Sequence, residues 1–361
     1  MMQRTLSYAT HSHVMPKSPK PLPFAQRVVA WQREHGRNHL PWAGQDAYSV
    51  WLSEVMLQQT QVATVLPYYA AFKAAYPTVQ ALAAAQIDEI LARWAGLGYY
   101  SRARNLHRCA QAVVVQQGGV FPADLKVLEA LPGIGPSTAA AVASLAHNQP
   151  AAILDGNVKR VLARHAGITG WAGEASVVKQ LWAVAHSRVL TIDVPNDHHR
   201  RYTQGLMDLG ATVCTAKAPQ CERCPVAGDC VALIKNRVDA LPTPRPKKTI
   251  PTRTRHALVQ HTIDGVYLQR RSASGLWGGL LSLPEAETQA ELAQQQGVAL
   301  EAMSAWHIHT LKHTFTHYHL DWRLWAIEVK NPLPAPWVFA TWAELATIGV
   351  PKAVLKAMGQ A

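Results

Sequence analysis

The run Leu131-Pro132-Gly133-Ile134-Gly135-Pro136-Ser137-Thr138-Ala139, followed by Ile153-Leu154-Asp155-Gly156-Asn157, constrains this chain more than any other stretch. It predicts a helix, a tight glycine turn, a second helix, and a lone carboxylate at the start of a third. Gly133 and Gly135 permit positive φ and close approach by another molecule. Pro136 suits the first position of a helix. The unpaired N–H groups and dipole at that helix mouth favour an anion such as a phosphate. An ordinary helix-turn-helix corner uses the same G-x-G, but Leu131-Pro132 before it and Asp155 after it set this run apart.

Apolar residues recur at helical spacing over 24–35, 46–59, 61–75, 101–117, 136–147, 157–166, 175–188 and 198–213, which predicts a nearly all-helical domain over 24–232. Downstream, 256–271 reads as a hairpin turning at Asp264-Gly265, and 317–329 alternates like a strand, so 253–361 is expected to be α/β. Between them, 233–252 carries Pro242, Pro244, Pro246 and Pro251, which rules out a regular helix or a central strand and suggests an extended linker. Residues 1–23 lack acids and periodicity and read as a loose tail, although a transit peptide shares that composition. The net charge is +12, and seven Lys or Arg against Asp239 alone between Leu233 and Arg255 supply half of it. A polyanionic partner fits that balance. No apolar run is long enough for a membrane span, so a cytoplasmic protein is expected.

Cys214, Cys221, Cys224 and Cys230 lie on one short stretch after the last helical block. Four thiolates so close suit a structural zinc or a [4Fe–4S] cluster, and spacing alone does not choose. Disulfides fit less well, because no secretory signal is evident and Cys109 would be left unpaired.

The hairpin, Asp155 and the cysteine spacing together resemble the helix-hairpin-helix DNA glycosylases related to endonuclease III. The blocks 51–60 (Trp51 to Thr60, WLSEVMLQQT) and 96–102 (Gly96 to Arg102, GLGYYSR) narrow the resemblance to adenine DNA glycosylases of the MutY type over roughly 24–330. It implies a multidomain protein: an all-α helix-hairpin-helix glycosylase domain with a [4Fe–4S] loop on the four cysteines, then a C-terminal α/β Nudix-like domain. The activity implied is monofunctional excision of adenine mispaired with 8-oxoguanine or guanine in double-stranded DNA, initiating base excision repair, by a monomer.

Periodicity leaves Glu54 as either a surface residue or a carboxyl among Val50, Trp51 and Leu57 that holds its proton to higher pH. The resemblance makes it the acid that protonates adenine. Asp155 reads as an N-cap; the resemblance adds stabilisation of an oxocarbenium-like sugar, with Asn157 orienting sugar and nucleophile. Ser137 stands where lyase-competent relatives carry a Lys that forms a Schiff base, so strand cleavage is not expected. Gln59, Leu97 and Tyr99 match residues that wedge into the base stack, with core packing the plain alternative for Leu97 and Tyr99. Arg93, Arg102, Arg104 and Arg108 fit either phosphate contacts or a solvated helix face. Pro136 replaces a basic residue common in the family.

In the second domain, 276–280 and 283–285 resemble the start of a Nudix motif, but Ala293-Gln294 stand where Arg-Glu would be, so nucleotide hydrolysis is not expected. Phe315, Thr316 and His317 match the family loop that probes the base opposite adenine, with Thr316 in place of the usual Ser. His307, His309 and His319 read as strand-surface residues rather than a metal site. A bifunctional glycosylase/lyase for oxidised pyrimidines needs the missing Lys and has no use for 253–361. A non-catalytic iron–sulfur DNA-binding protein has no need of Glu54 with Asp155.

Overall fold

The computed structural model describes residues 22–189, 197–246, 249–272, 275–315 and 317–359. Most of the tail (1–21), Lys247 and Lys248 of the basic stretch, and Thr316 lie outside the described residues. The first body is built from α1 (Phe24–His35), α2 (Ala47–Leu57), α3 (Val62–Ala75), α4 (Val79–Ala84), α5 (Ile87–Arg93), α6 (Ser101–Gln117), α7 (Leu125–Glu129), α8 (Pro136–His147), α9 (Gly156–Ala166), α10 (Ala175–Val189), α11 (His198–Thr212) and α12 (Val231–Ile234). The eight periodic blocks are all helices with nearly the expected bounds. Their apolar faces close one core around Trp51, Phe72, Trp94, Leu106 and Tyr202, each under 2% exposed, and each such burial contributes about 1.5–3 kcal/mol. Within it α2 packs on α8 and α11 on α1, α8 and α9, so the hairpin helices hold the middle of the body. Among the described residues no helix is long and apolar enough to cross a membrane.

The second body is a sheet ordered β3-β2-β1-β6-β5. β1 (Thr252–His261) turns through Asp264 into antiparallel β2 (Gly265–Arg270), with Gln260 opposite Tyr267. β3 (Leu281–Ser282) and β4 (Glu285–Ala286) are short, β5 (Ser304–Thr314) is an edge, and β7 (Trp337–Thr341) extends β2. β6 (His319–Glu328) runs parallel to β1 along its whole length. Alternation along β1 sends Ala257 and Val259 to a core closed by α14 (Lys352–Ala357) and Leu258 to a smaller one closed by α13 (Gln289–Gln296). Helices on both faces make this body α/β.

The proline-rich stretch is less free than its composition suggests. The buried Arg164 guanidinium donates to the carbonyls of Val238 and Leu241 (Nε, 3.0 and 2.8 Å) and to that of Thr215 (Nη1, 2.7 Å). Thr243 then bridges to Trp171, whose ring carries the Arg245 guanidinium at 5.4 Å. The segment is therefore not the extended linker expected throughout: Leu233 and Ile234 end α12, 235–240 fold mostly into turns, and the chain stays seated on the helical body as far as Arg245.

Candidate active site

Asp46 caps α2 by accepting from the Ser49 N–H at 2.7 Å, and the helix carries Glu54 between buried Ser53 and Val55. Glu54 is itself half-buried. Loss of solvation, reinforced by the nearby Asp155 charge and opposed by Arg37, raises its pKa to about 7. The surface alternative for Glu54 is thus replaced by a carboxyl that is substantially protonated at neutral pH. Arg37 is held by fully buried Asp208, whose Oδ1 and Oδ2 accept from its Nε and backbone N–H at 2.7 and 2.9 Å. Neither residue stands out by spacing; the only hint of Asp208 is an acid within the otherwise uncharged run 205–211.

The hairpin forms between α7 and α8 as expected, with one correction. Gly133 has φ +76°, and a Cβ there would meet the Asn105 side chain at 2.6 Å, so both conformation and space require glycine. Gly135 is not left-handed: it is the extended N-cap of α8 (φ −93°, ψ 173°), and a Cβ there would meet nothing within 4 Å. Pro136 opens the helix as its first residue. No turn therefore requires Gly135, and its cap leaves the first amides of α8 without a side-chain acceptor.

Two contacts draw the candidate residues together. Gln58 Nε2 donates to Thr138 Oγ1 at 3.3 Å, joining α2 to α8, and the Leu154 N–H donates to Ser137 Oγ at 3.4 Å, joining α8 to the strand-like approach to Asp155. Asp155 caps α9: Oδ1 accepts from the Val158 N–H at 2.7 Å, while Oδ2 has the Asn157 amide at 3.5 Å. Burial raises its pKa, and those N–H donors and Arg160 pull the other way. Asn157 Oδ1 in turn accepts from Arg160 Nη2 at 2.8 Å, and Arg160 Nε donates to the Cys214 carbonyl at 2.7 Å. A continuous polar chain therefore runs from Asp155 to the cysteine loop.

Gln59 and Tyr99 are exposed and both left-handed, with φ +59° and +50°, a conformation costly for side chains of this size. Leu97 departs from expectation. It is 5% exposed and belongs to the helical core, which leaves it no freedom to enter a base stack. Arg102 is neither a phosphate contact nor a solvated residue. Its buried guanidinium donates to the carbonyls of Val55 (3.0 Å), Met56 (2.7 Å), Leu97 (3.0 Å) and Gly98 (3.2 Å) and to Thr60 Oγ1 (3.2 Å). One side chain thus fixes the end of α2 and both left-handed turns.

Cys214, Cys221, Cys224 and Cys230 surround one cavity whose other lining is mostly apolar, Val161, Val213, Val226 and Leu233 among it, with His165 and Gln220 also at its wall and Arg164 Nη1 3.4 Å from Cys214 Sγ. Burial pushes the Cys224 thiol up to about 11, so its thiolate needs a metal charge beside it. An all-thiolate ring around an apolar cavity suits an iron–sulfur cluster held by these four residues.

On the second body, a hydrogen bond from the Phe315 N–H to the Tyr318 carbonyl (2.9 Å) closes the loop between β5 and β6. Phe315 packs against Trp277, His313 and Tyr318, and His317 is exposed. Glu285 pairs with Arg271 at 2.9 Å, and Glu291, the one acid of α13, caps its own helix. His307, His309 and His319 are engaged separately by Trp306, the Leu324 carbonyl and Thr314.

Comparison with known proteins accords with this arrangement. Residues 52–186 match the HhH-GPD superfamily of base excision DNA repair proteins, 214–230 the iron-sulfur binding domain of endonuclease III, and 255–360 the NUDIX domain. The adenine DNA glycosylase of Buchnera aphidicola subsp. Acyrthosiphon pisum is 35% identical over 74% of this chain and 75% of its own. That of Homo sapiens is 32% identical over 86% of this chain and 68% of its own. A thermostable thymine-DNA glycosylase structure is 29% identical and superposes with a TM-score of 0.51 over 59% of this chain and 95% of its own. With the base excision repair match over the helical body, the endonuclease III cluster loop after it, and adenine DNA glycosylases more than 30% identical over about three quarters of the chain or more, the chain belongs to the adenine DNA glycosylase family of base excision repair enzymes.

Proposed function

We propose that this enzyme excises adenine paired with 8-oxoguanine, and less efficiently with guanine, by hydrolysis without strand cleavage. The observation that carries the reading is Glu54, whose pKa is raised to about 7 by loss of solvation and, after it, by the Asp155 charge. Glu54 donates its proton to a ring nitrogen of adenine, and the N-glycosidic electron pair leaves with the neutral base. The Asp155 carboxylate stabilises the cationic sugar, Asn157 orients it, and water adds to C1′ while losing a proton to the carboxylate pair. Ser137 has no amine to form an imine. Amides at Gly133 and Gly135 grip a phosphate, Gln59 and Tyr99 support the opened stack, and Phe315, Thr316 and His317 read the opposite base. The enzyme works as a monomer, with the glycosylase domain at 24–232, linker at 233–252 and recognition domain at 253–361.

Single-turnover assays on duplexes with adenine opposite 8-oxoguanine, guanine or thymine, with and without hot alkali, test this directly. Cleavage is expected only after alkali and only with the first two. Efficient borohydride trapping of a covalent adduct would overturn the monofunctional assignment. A second expectation concerns Arg160, which supports Asn157 and the cysteine loop at once. Arg160→Gln should lower excision about 10–100-fold, the usual cost of losing an outer-sphere partner. Unchanged rates at full cluster absorbance would show that the polar chain is not used.

A further inference from the structure

The turn Leu276–Leu280, which has no part in the steps above, lies across the boundary between the two bodies. Leu280 is fully buried, and it is counted in the core of the helical body even though its chain neighbours belong to the sheet. Trp277 packs against both cores and is held at φ +53°, a conformation a non-glycine keeps only when its surroundings over-determine it. Its ring meets Phe315 edge-on at 5.5 Å and Trp322 at 5.7 Å. From the other side, Arg104 of α6 donates to the Gly278 carbonyl. Arg270 clamps the same turn, donating to the Gly279 carbonyl at 2.8 Å and to both Asp88 oxygens at 2.9 Å. Arg104 lies two residues beyond Arg102, which fixes the Tyr99 turn and the end of the Glu54 helix.

We propose that Trp277 is a positioning residue for substrate discrimination: it couples the seat of Phe315 to α6, and through Arg102 to the wedge and the catalytic helix. The proposal rests on the reading of the Phe315 loop as the probe of the opposite base. An 8-oxoguanine that shifts Phe315 moves a ring already in contact with Trp277, and Trp277 cannot move without disturbing the Gly278 carbonyl and its Arg104 partner. Simple domain adhesion would affect every substrate alike. A coupling acts only where Phe315 distinguishes the bases.

The test is a double-mutant cycle on the full-length, iron-loaded enzyme with Trp277→Ala, Phe315→Ala and the pair, measuring single-turnover excision opposite 8-oxoguanine and guanine. Trp277→Ala is expected to slow excision opposite 8-oxoguanine about tenfold, leave the guanine duplex within about twofold, and add little once Phe315 is removed. Trp277→Phe should recover most of the loss. If Trp277→Ala melts early or loses cluster absorbance, Trp277→Phe carries the comparison, with a smaller loss confined to the 8-oxoguanine duplex. Equal losses on both duplexes, or additive effects of the two substitutions, would overturn the coupling while leaving the probe reading intact. A wild-type enzyme with no preference between the duplexes would overturn both.

Discussion

Glu54→Gln is expected to reduce adenine excision by about 10²–10⁴-fold while leaving affinity for the mispaired duplex nearly unchanged. The amide has almost the shape of the carboxyl and no proton acidic enough to give. Because the Glu54 pKa is raised to about 7, wild-type excision should fall about tenfold per pH unit above that value. The same shift makes a stability statement. A carboxyl whose folded pKa lies above its ordinary 4.5 favours the native state below pH 4.5, and that contribution is lost as pH rises through 7. At pH 8 the native enzyme therefore carries a penalty of about 3 kcal/mol that Gln does not. Denaturant unfolding should show Glu54→Gln gaining on the wild type between pH 5 and pH 8. A pH-independent difference, or undiminished turnover, would remove Glu54 from the proposed role.

Arg102→Met is expected to cost about 3–5 kcal/mol, because it strips donors from several buried carbonyls at once. For a helical domain of this size that is a fall in melting temperature of roughly 10 °C. Arg102→Lys should recover only part, since one ammonium cannot span the acceptors on both α2 and the 97–98 turn. Excision should fall in both variants as Gln59 and Tyr99 lose their supports. Thermal unfolding followed by circular dichroism decides it, and a loss under about 1 kcal/mol would mean the carbonyls find other donors.

α1, α9 and α11 were legible because each sets an apolar face against a polar one, whereas α2, buried almost all round, showed itself only by the length of its apolar block. α4, α5 and α7 were not legible, because five to seven residues span too few turns to display a period, and their form depends on the core beneath them. The glycine hairpin was readable as a motif, yet the backbone of Gly135 was not, since a helix cap and a left-handed turn both tolerate glycine. Glu54 required the tertiary structure: its pKa is raised chiefly by burial under the fold and then by Asp155, a hundred residues away in the chain. Leu97 and Tyr99 look alike in the sequence, but the turn at Gly98 sends one into the core and leaves the other exposed. Arg102 reads as one arginine among four, and only burial separates it from its neighbours.

Among the described residues, Arg245 over Trp171 is the last contact of the connecting segment with the helical body, and Ile250 already packs on the core of the second. Four residues lie between them. Fully extended, the five peptide steps reach at most about 18 Å. Even with the Trp277, Leu280 and Arg270 contacts between the two bodies broken, that length would keep the second body beside the helical one while Arg245 stays seated. The separation the two bodies can reach on that side is therefore capped by chain length, and lengthening the segment would raise the cap without touching either core.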